Sequence, residues 1–199
     1  MAIEVASLTQ PFVGETDCGD RCGWWLNGSR LVLAVADGLG HGSEAAKAAN
    51  AAYDCISIHQ HSSCEELFEH CDNKLHNTRG AALAIALINL NSHRMSIASV
   101  GNIRCMLMQI HGNYRLGGAR GIVGAGYEYL LPETVQLSPG DLLVMYTDGL
   151  DEFADLRVHY ENTDVSVELQ AQAILERWQS GRDDAGVLVY RHRLGVCDD

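Results

Sequence analysis

Two stretches of the chain echo each other: residues 31–39 read LVLAVADGL and residues 142–150 read LLVMYTDGL. In both, an apolar run with the look of a buried strand ends in Asp-Gly, at Asp37-Gly38 and at Asp148-Gly149. A carboxylate at a strand end is held rigidly yet can point into a cleft, and the glycine after it lets the backbone turn sharply and expose its carbonyl. Taken singly, each is also what an ordinary strand-terminating turn looks like, since Asp-Gly is a common turn dipeptide. More acids stand at similar transitions: Asp20 after Cys18-Gly19, and the pair Asp183-Asp184 ahead of a C-terminal apolar run. Adjacent like charges are unfavourable unless a cation neutralises them or water solvates them. Brought together, Asp20, Asp37, Asp148, Asp183 and Asp184 would form a set of hard oxygen donors without histidine, suited to Mg2+ or Mn2+. Two such ions about 4 Å apart can activate water and take up the charge that develops on a phosphoryl group.

The elements that must position these acids are readable in outline. Gly23-Trp24-Trp25-Leu26 and Leu31 to Ala36 flank Asn27-Gly28, which predicts an antiparallel hairpin with its turn there. From about Glu44 to Ile58 small apolar residues recur at Ala45, Ala48, Ala49, Ala52, Cys55 and Ile56, the spacing of a closely packed helix face. A second helix opens at Ser63 with Glu66 as the partner of a capping box, carries Leu67, Phe68, Cys71 and Leu75 inward, and ends near Thr78. Between Ala81 and Asp148 short apolar runs broken by turn residues predict a meander of antiparallel strands. Helical spacing returns from about Asp164 to Gln179 at Val167, Ala171, Ile174, Leu175 and Trp178, with Gly181 as a stop and Val187-Leu188-Val189-Tyr190 as a last strand. Strands and helices are segregated rather than alternating, which argues for an α+β fold.

Bulk properties narrow the function classes. The 199 residues suit a single domain over 1–199, and 47% hydrophobic with 20% charged residues is a globular composition. With 26 acidic residues against 14 Lys and Arg the net charge is −12 and no basic stripe stands out, so nucleic acid is not an expected partner. An acid at Glu4, where a secretory leader carries bases, and the absence of a long apolar run argue against a leader and a membrane span and for the cytoplasm. The cysteines at 18, 22, 55, 64, 71, 105 and 197 are odd in number and form no Cys-x-x-Cys pair, so reduced thiols are expected. His59, His61, Cys64, His70 and Cys71 fit no structural zinc spacing.

Ala36-Asp37-Gly38-Leu39-Gly40, Thr147-Asp148-Gly149 and Arg182-Asp183-Asp184, in that order, resemble the motifs of the metal-dependent type 2C serine/threonine protein phosphatases. With Cys18-Gly19-Asp20, His41-Gly42-Ser43, Arg79-Gly80-Ala81 and Ser99-Val100-Gly101-Asn102-Ile103-Arg104, the chain is similar to the bacterial group that acts on partner-switching proteins, the stressosome feedback phosphatases. The resemblance runs from about residue 18 to residue 191. It implies a four-layer αββα sandwich with two central, mainly antiparallel sheets and a metal cleft at one edge. It further implies two Mn2+ or Mg2+ ions, with Asp37 bridging both, the Gly38 carbonyl on one, and Asp148 and Asp183 on the other. Asp20 and Asp184 would act through water or as further ligands, and Asp37, Asp148 and Asp183 would carry the catalysis. The implied substrate is phosphoserine or phosphothreonine on a stressosome scaffold or antagonist protein with a STAS domain, its dephosphorylation resetting a stress signal.

Two departures from that pattern stand out. Many eukaryotic members have a histidine directly after the first Asp-Gly, proposed to protonate the departing seryl oxygen; here the position is Leu39, with His41 nearby. Bacterial relatives usually carry Thr two residues after the Asp pair, and here Gly186 stands there. For the arginine that grips phosphate, Arg21, Arg79, Arg104 and Arg182 are the candidates. Gly40-x-Gly42-x-x-Ala45 has the outline of a dinucleotide fingerprint, but Asp37 would face the pyrophosphate with like charge and another helix replaces the expected second strand. Haloacid-dehalogenase-type phosphatases need an Asp two positions before the Asp of the Asp-Gly pair, where this chain has Val35 and Tyr146. The remaining alternative is a phosphatase-like module that binds a phosphorylated partner without turning it over.

Overall fold

In the computed structural model, residues 3–151 and 154–193 are described. In chain order they form β1 (Glu4–Gln10), β2 (Asp20–Asn27), β3 (Arg30–Gly38), α1 (Ser43–Ile58), α2 (Cys64–Leu75), β4 (Ala81–Asn89), β5 (Arg94–Val100), β6 (Arg104–Gln109) and β7 (Gly112–Leu116). There follow β8 (Gly121–Ile122), β9 (Gly126–Tyr127), β10 (Glu133–Gln136), β11 (Leu142–Tyr146), α3 (Arg157–Glu161), α4 (Val167–Trp178) and β12 (Ala185–Arg191). One five-stranded sheet runs β1-β12-β11-β6-β7, the other β10-β5-β4-β3-β2, and β8-β9 is a separate short ribbon. Every pair of neighbouring strands is antiparallel.

The layering follows from strand parity. On β3, Leu31, Leu33 and Val35 point between the sheets, while Val32, Ala34 and Ala36 point out onto α1 and α2. On β11, Leu143 and Met145 point between the sheets, and Leu142, Val144 and Tyr146 meet α4. Both faces of these strands are therefore buried, which is why they read as continuous apolar runs rather than as alternation. The result is helices, sheet, sheet, helix: the αββα sandwich. Small residues on α1, among them Ala45, Ala48, Ala49 and Ala52, bring that helix close to its sheet. Ser63 caps α2 by accepting from the Glu66 N–H while the Glu66 carboxylate accepts from the Ser63 N–H.

Several boundaries differ from expectation. Asn27 pairs with Arg30, so the hairpin turn is Gly28-Ser29, with Gly28 at φ +58 in the first loop position where a type II′ turn takes glycine. The second helix ends at Leu75 rather than near Thr78. The strands from Ala81 onward are not one meander: the chain leaves β5 for β6 and β7 in the other sheet, returns for β10, and crosses again for β11. β1 and α3 were not anticipated. His59 and His70 stack at 4.0 Å, His61 meets the Asn27 amide, and Cys64 and Cys71 are buried. The described cysteines are free thiols, and Cys197 lies outside the described residues. Among the described residues no helix is long and apolar enough to cross a membrane.

Candidate active site

Parity also aims the acids. Asp37 continues the Leu31-Leu33-Val35 set, and Asp20 stands directly opposite it in the β2–β3 register, so both carboxylates emerge where the core between the sheets ends. Like charges facing each other across an antiparallel pair are destabilising. From the other sheet, Asp148 follows β11, and Asp183-Asp184 precede β12. Glycines beside these acids permit the convergence. A Cβ on Gly19 would stand 2.7 Å from Asp184 Oδ2 and 2.8 Å from Ala45 Cβ. One on Gly38 would collide with the Ala45 carbonyl oxygen, and one on Gly149 with that of Asp184. The structure brings Asp20, Asp37, Gly38, Asp148, Asp183 and Asp184 together at one edge of the sandwich.

The electrostatics show how closely. Burial, and after it the charges of Asp20, Asp148, Asp183 and Asp184, push the Asp37 carboxyl up to about 9. Asp20 is pushed up to about 8, chiefly by burial and against the bond it accepts from Thr147. Asp183 is raised as well, by burial first and then by Asp148 and Asp184, while His41 draws it down. Asp148 accepts a hydrogen bond from the Asn102 amide at 2.8 Å. Asp184 accepts from the Phe12 N–H at 2.8 Å through Oδ1, but its buried Oδ2 has no partner.

These residues fit divalent metal. Among the described residues no three side chains already close around one point as a cage. Mg2+ does not require that, since it keeps several waters and takes one or two carboxylates at near-octahedral geometry. Buried acids that raise one another's pKa, an orphaned Asp184 Oδ2 and an all-oxygen donor set call for a hard cation.

A cleft of about 480 Å3 opens over the acids, with Asp37, Leu39, Asn102, Arg120, Asp148 and Asp183 in its walls. A hollow of about 630 Å3 continues past Asp148 and Asp183 to Arg104, Ser180 and Arg182. Of the four arginine candidates, Arg21 stacks over Tyr53, away from the cleft, and Arg79 lies against Gly40 at its rim. Arg104 and Arg182 line the neighbouring hollow. Arg120, which sequence reasoning did not single out, lines the cleft itself; its only signal is an arginine within Gly117-Gly118-Ala119-Arg120-Gly121, a stretch that reads as a turn. His41 is largely exposed, bonds Glu15 at 3.0 Å and rests against Phe12, while Leu39 supplies an apolar wall. Position 186 enters the support of Asp20 through its backbone N–H. Asp20 Oδ2 accepts the Thr147 hydroxyl at 2.6 Å, and that hydroxyl accepts the Gly186 N–H at 2.8 Å.

A two-sheet αββα sandwich with carboxylates from both sheets at one edge defines the type 2C phosphatase class. The chain belongs to the family described as Stage II sporulation protein E (SpoIIE), which matches residues 27–193. It is 31% identical over 173 residues to phosphoserine phosphatase RsbX of Bacillus subtilis (strain 168), covering 86% of this chain and 85% of that protein. A chain solved in work on the bacterial stressosome as a modular system adapted to control secondary messenger signalling superposes with a TM-score of 0.92 at 31% identity, over 96% of this chain and 100% of that one. RsbX in complex with magnesium superposes at 0.84 with 26% identity, over 94% of each chain. The SiaA PP2C domain of Pseudomonas aeruginosa, 19% identical, shares the fold at 0.77 over 94% of this chain and 85% of that one. The chain is a phosphoprotein phosphatase of this class.

Proposed function

We propose that the chain hydrolyses phosphoserine or phosphothreonine on stressosome scaffold or antagonist proteins with a STAS domain, with two Mn2+ or Mg2+ ions at its acid cluster, and so resets a stress signal. The observation that carries the reading is the meeting of Asp20 and Asp37 from one sheet with Asp148, Asp183 and Asp184 from the other on a single cleft. Asp37, the Gly38 carbonyl, Asp148 and Asp183 would hold the ions, with Asp20 and Asp184 acting through water or as further ligands. Bound there, divalent cations supply Lewis-acid charge for water activation and for the phosphoryl group.

The chain's own residues do the rest. Asn102 orients Asp148, and Thr147 fixes Asp20. Leu39 replaces an acid with an apolar wall, and His41 is engaged with Glu15, so the proton for the departing seryl oxygen comes from solvent in this reading.

The test is phosphate release from a phosphoserine-bearing STAS-domain protein with Mn2+, followed by excess EDTA. Turnover that EDTA abolishes, and that Asp37→Ala lacks while keeping its fold, is the expected result. Tight binding of the phosphoprotein with no turnover under Mn2+ or Mg2+ would replace this reading with that of a binding module.

A further inference from the structure

Resting on the phosphatase reading, we propose that Arg120 grips the substrate's phosphoryl group in this chain. A phosphoryl group entering the cleft lined by Asp37, Asp148 and Asp183 meets, beside the ions those acids would hold, the guanidinium of Arg120 in the cleft wall. Arg120 shares that cleft with the three acids, yet among the described residues its guanidinium makes no hydrogen bond or ion pair. Its guanidinium is exposed and so open to an incoming anion. Its planar fork matches two phosphoryl oxygens at once, which a lysine ammonium cannot do.

The backbone beneath it is pinned on both sides. Ala119 N–H donates to the Ser99 carbonyl at 2.9 Å, Gly101 N–H donates to the Ala119 carbonyl at 3.0 Å, and Glu128 N–H donates to the carbonyl of Arg120 itself at 2.8 Å. The next residue, Gly121, has φ +121, and a Cβ there would collide with Tyr127, so the loop meets the β8–β9 ribbon in one register. An exposed side chain on so fixed a backbone loses less freedom on binding than one on a loose loop. Arg120 is therefore a specificity residue that contacts substrate, carried by the loop before β8 rather than by any of the four arginines in the metal motifs or beside them.

The experiment is calorimetric titration of inorganic phosphate into the full, Mn2+-loaded chain, comparing wild type with Arg120→Ala, Arg120→Lys and the control Arg94→Ala. Arg94 lies on β5 at the distant end of its sheet and removes the same unit of charge. Arg120→Ala should weaken phosphate roughly ten- to hundred-fold, as the loss of charged hydrogen bonds implies, and Arg120→Lys should fall between. KM for a phosphoprotein should rise by a similar factor with kcat moved far less. Wild-type phosphate affinity in Arg120→Ala, or an equal loss in Arg94→Ala, overturns the proposal. A wild-type protein without turnover would sink the phosphatase reading instead, and the phosphate titration would still decide on Arg120.

Discussion

Thr147 carries two obligations at once: it donates to Asp20 across the gap between the sheets and accepts from the backbone of its own sheet at Gly186. Thr147→Val keeps the shape and removes the hydroxyl, leaving Asp20 Oδ2 and the Gly186 N–H buried without a partner. Metal-free unfolding in urea should show a loss of about 1–3 kcal/mol, with Thr147→Ser close to wild type. The acids themselves were legible because each ends or precedes an apolar run, a pattern visible along the chain. Thr147 stood in plain sight beside Asp148, but its hydroxyl meets Asp20 only through the stacking of one sheet on the other, 127 residues away in sequence. Arg120 was hidden for a different reason: among glycines, a cleft cation and a solvated turn residue have the same sequence.

Elements were legible in proportion to how local their causes are. The alanine face of α1 and the Ser63–Glu66 box of α2 are written in residues three and four apart, and both are present. β1 was not, because Leu8, Thr9 and Gln10 are exposed and only its pairing with β12 makes a strand of them. The alternation within β5 and β6 says that each is a strand and nothing about which sheet takes it. At the far end of the sandwich, the turn after β4 and the end of β12 meet through histidines: His93 Nδ1 lies 3.0 Å from His192 Nε2, and His192 Nδ1 lies 2.7 Å from the Tyr190 hydroxyl. Burial, then the neighbouring His93, hold His192 below its ordinary 6.5, with Asp141 pulling the other way. A depressed histidine contributes stability above its unfolded pKa, and that contribution is lost as pH falls through 6.5 toward the folded value. Melting temperatures between about pH 8 and about pH 5 should therefore fall more steeply for wild type than for His192→Asn, which cannot take up the proton.

At the scale of the molecule, the acids cost the empty protein stability that a cation returns. Mn2+ at about 100 times its dissociation constant should raise the unfolding free energy by about 2.7 kcal/mol for each independent site, read as a melting temperature that climbs with the logarithm of metal and drops back in EDTA. The α+β class was readable from segregated strands and helices and the sandwich only through the resemblance to the type 2C phosphatases, whereas the exchange of strands between the sheets was not readable, because it is settled by packing far along the chain. Asp20 and Asp37 stand with one sheet, Asp148 and Asp183 with the other, and the apolar layer to which Leu33, Val35, Met145 and Leu188 belong spaces them. On the proposed reading, the metal constant is a vernier on the alignment of two plates: a slip in that layer would show up as a change in affinity at the edge before the fold gives way.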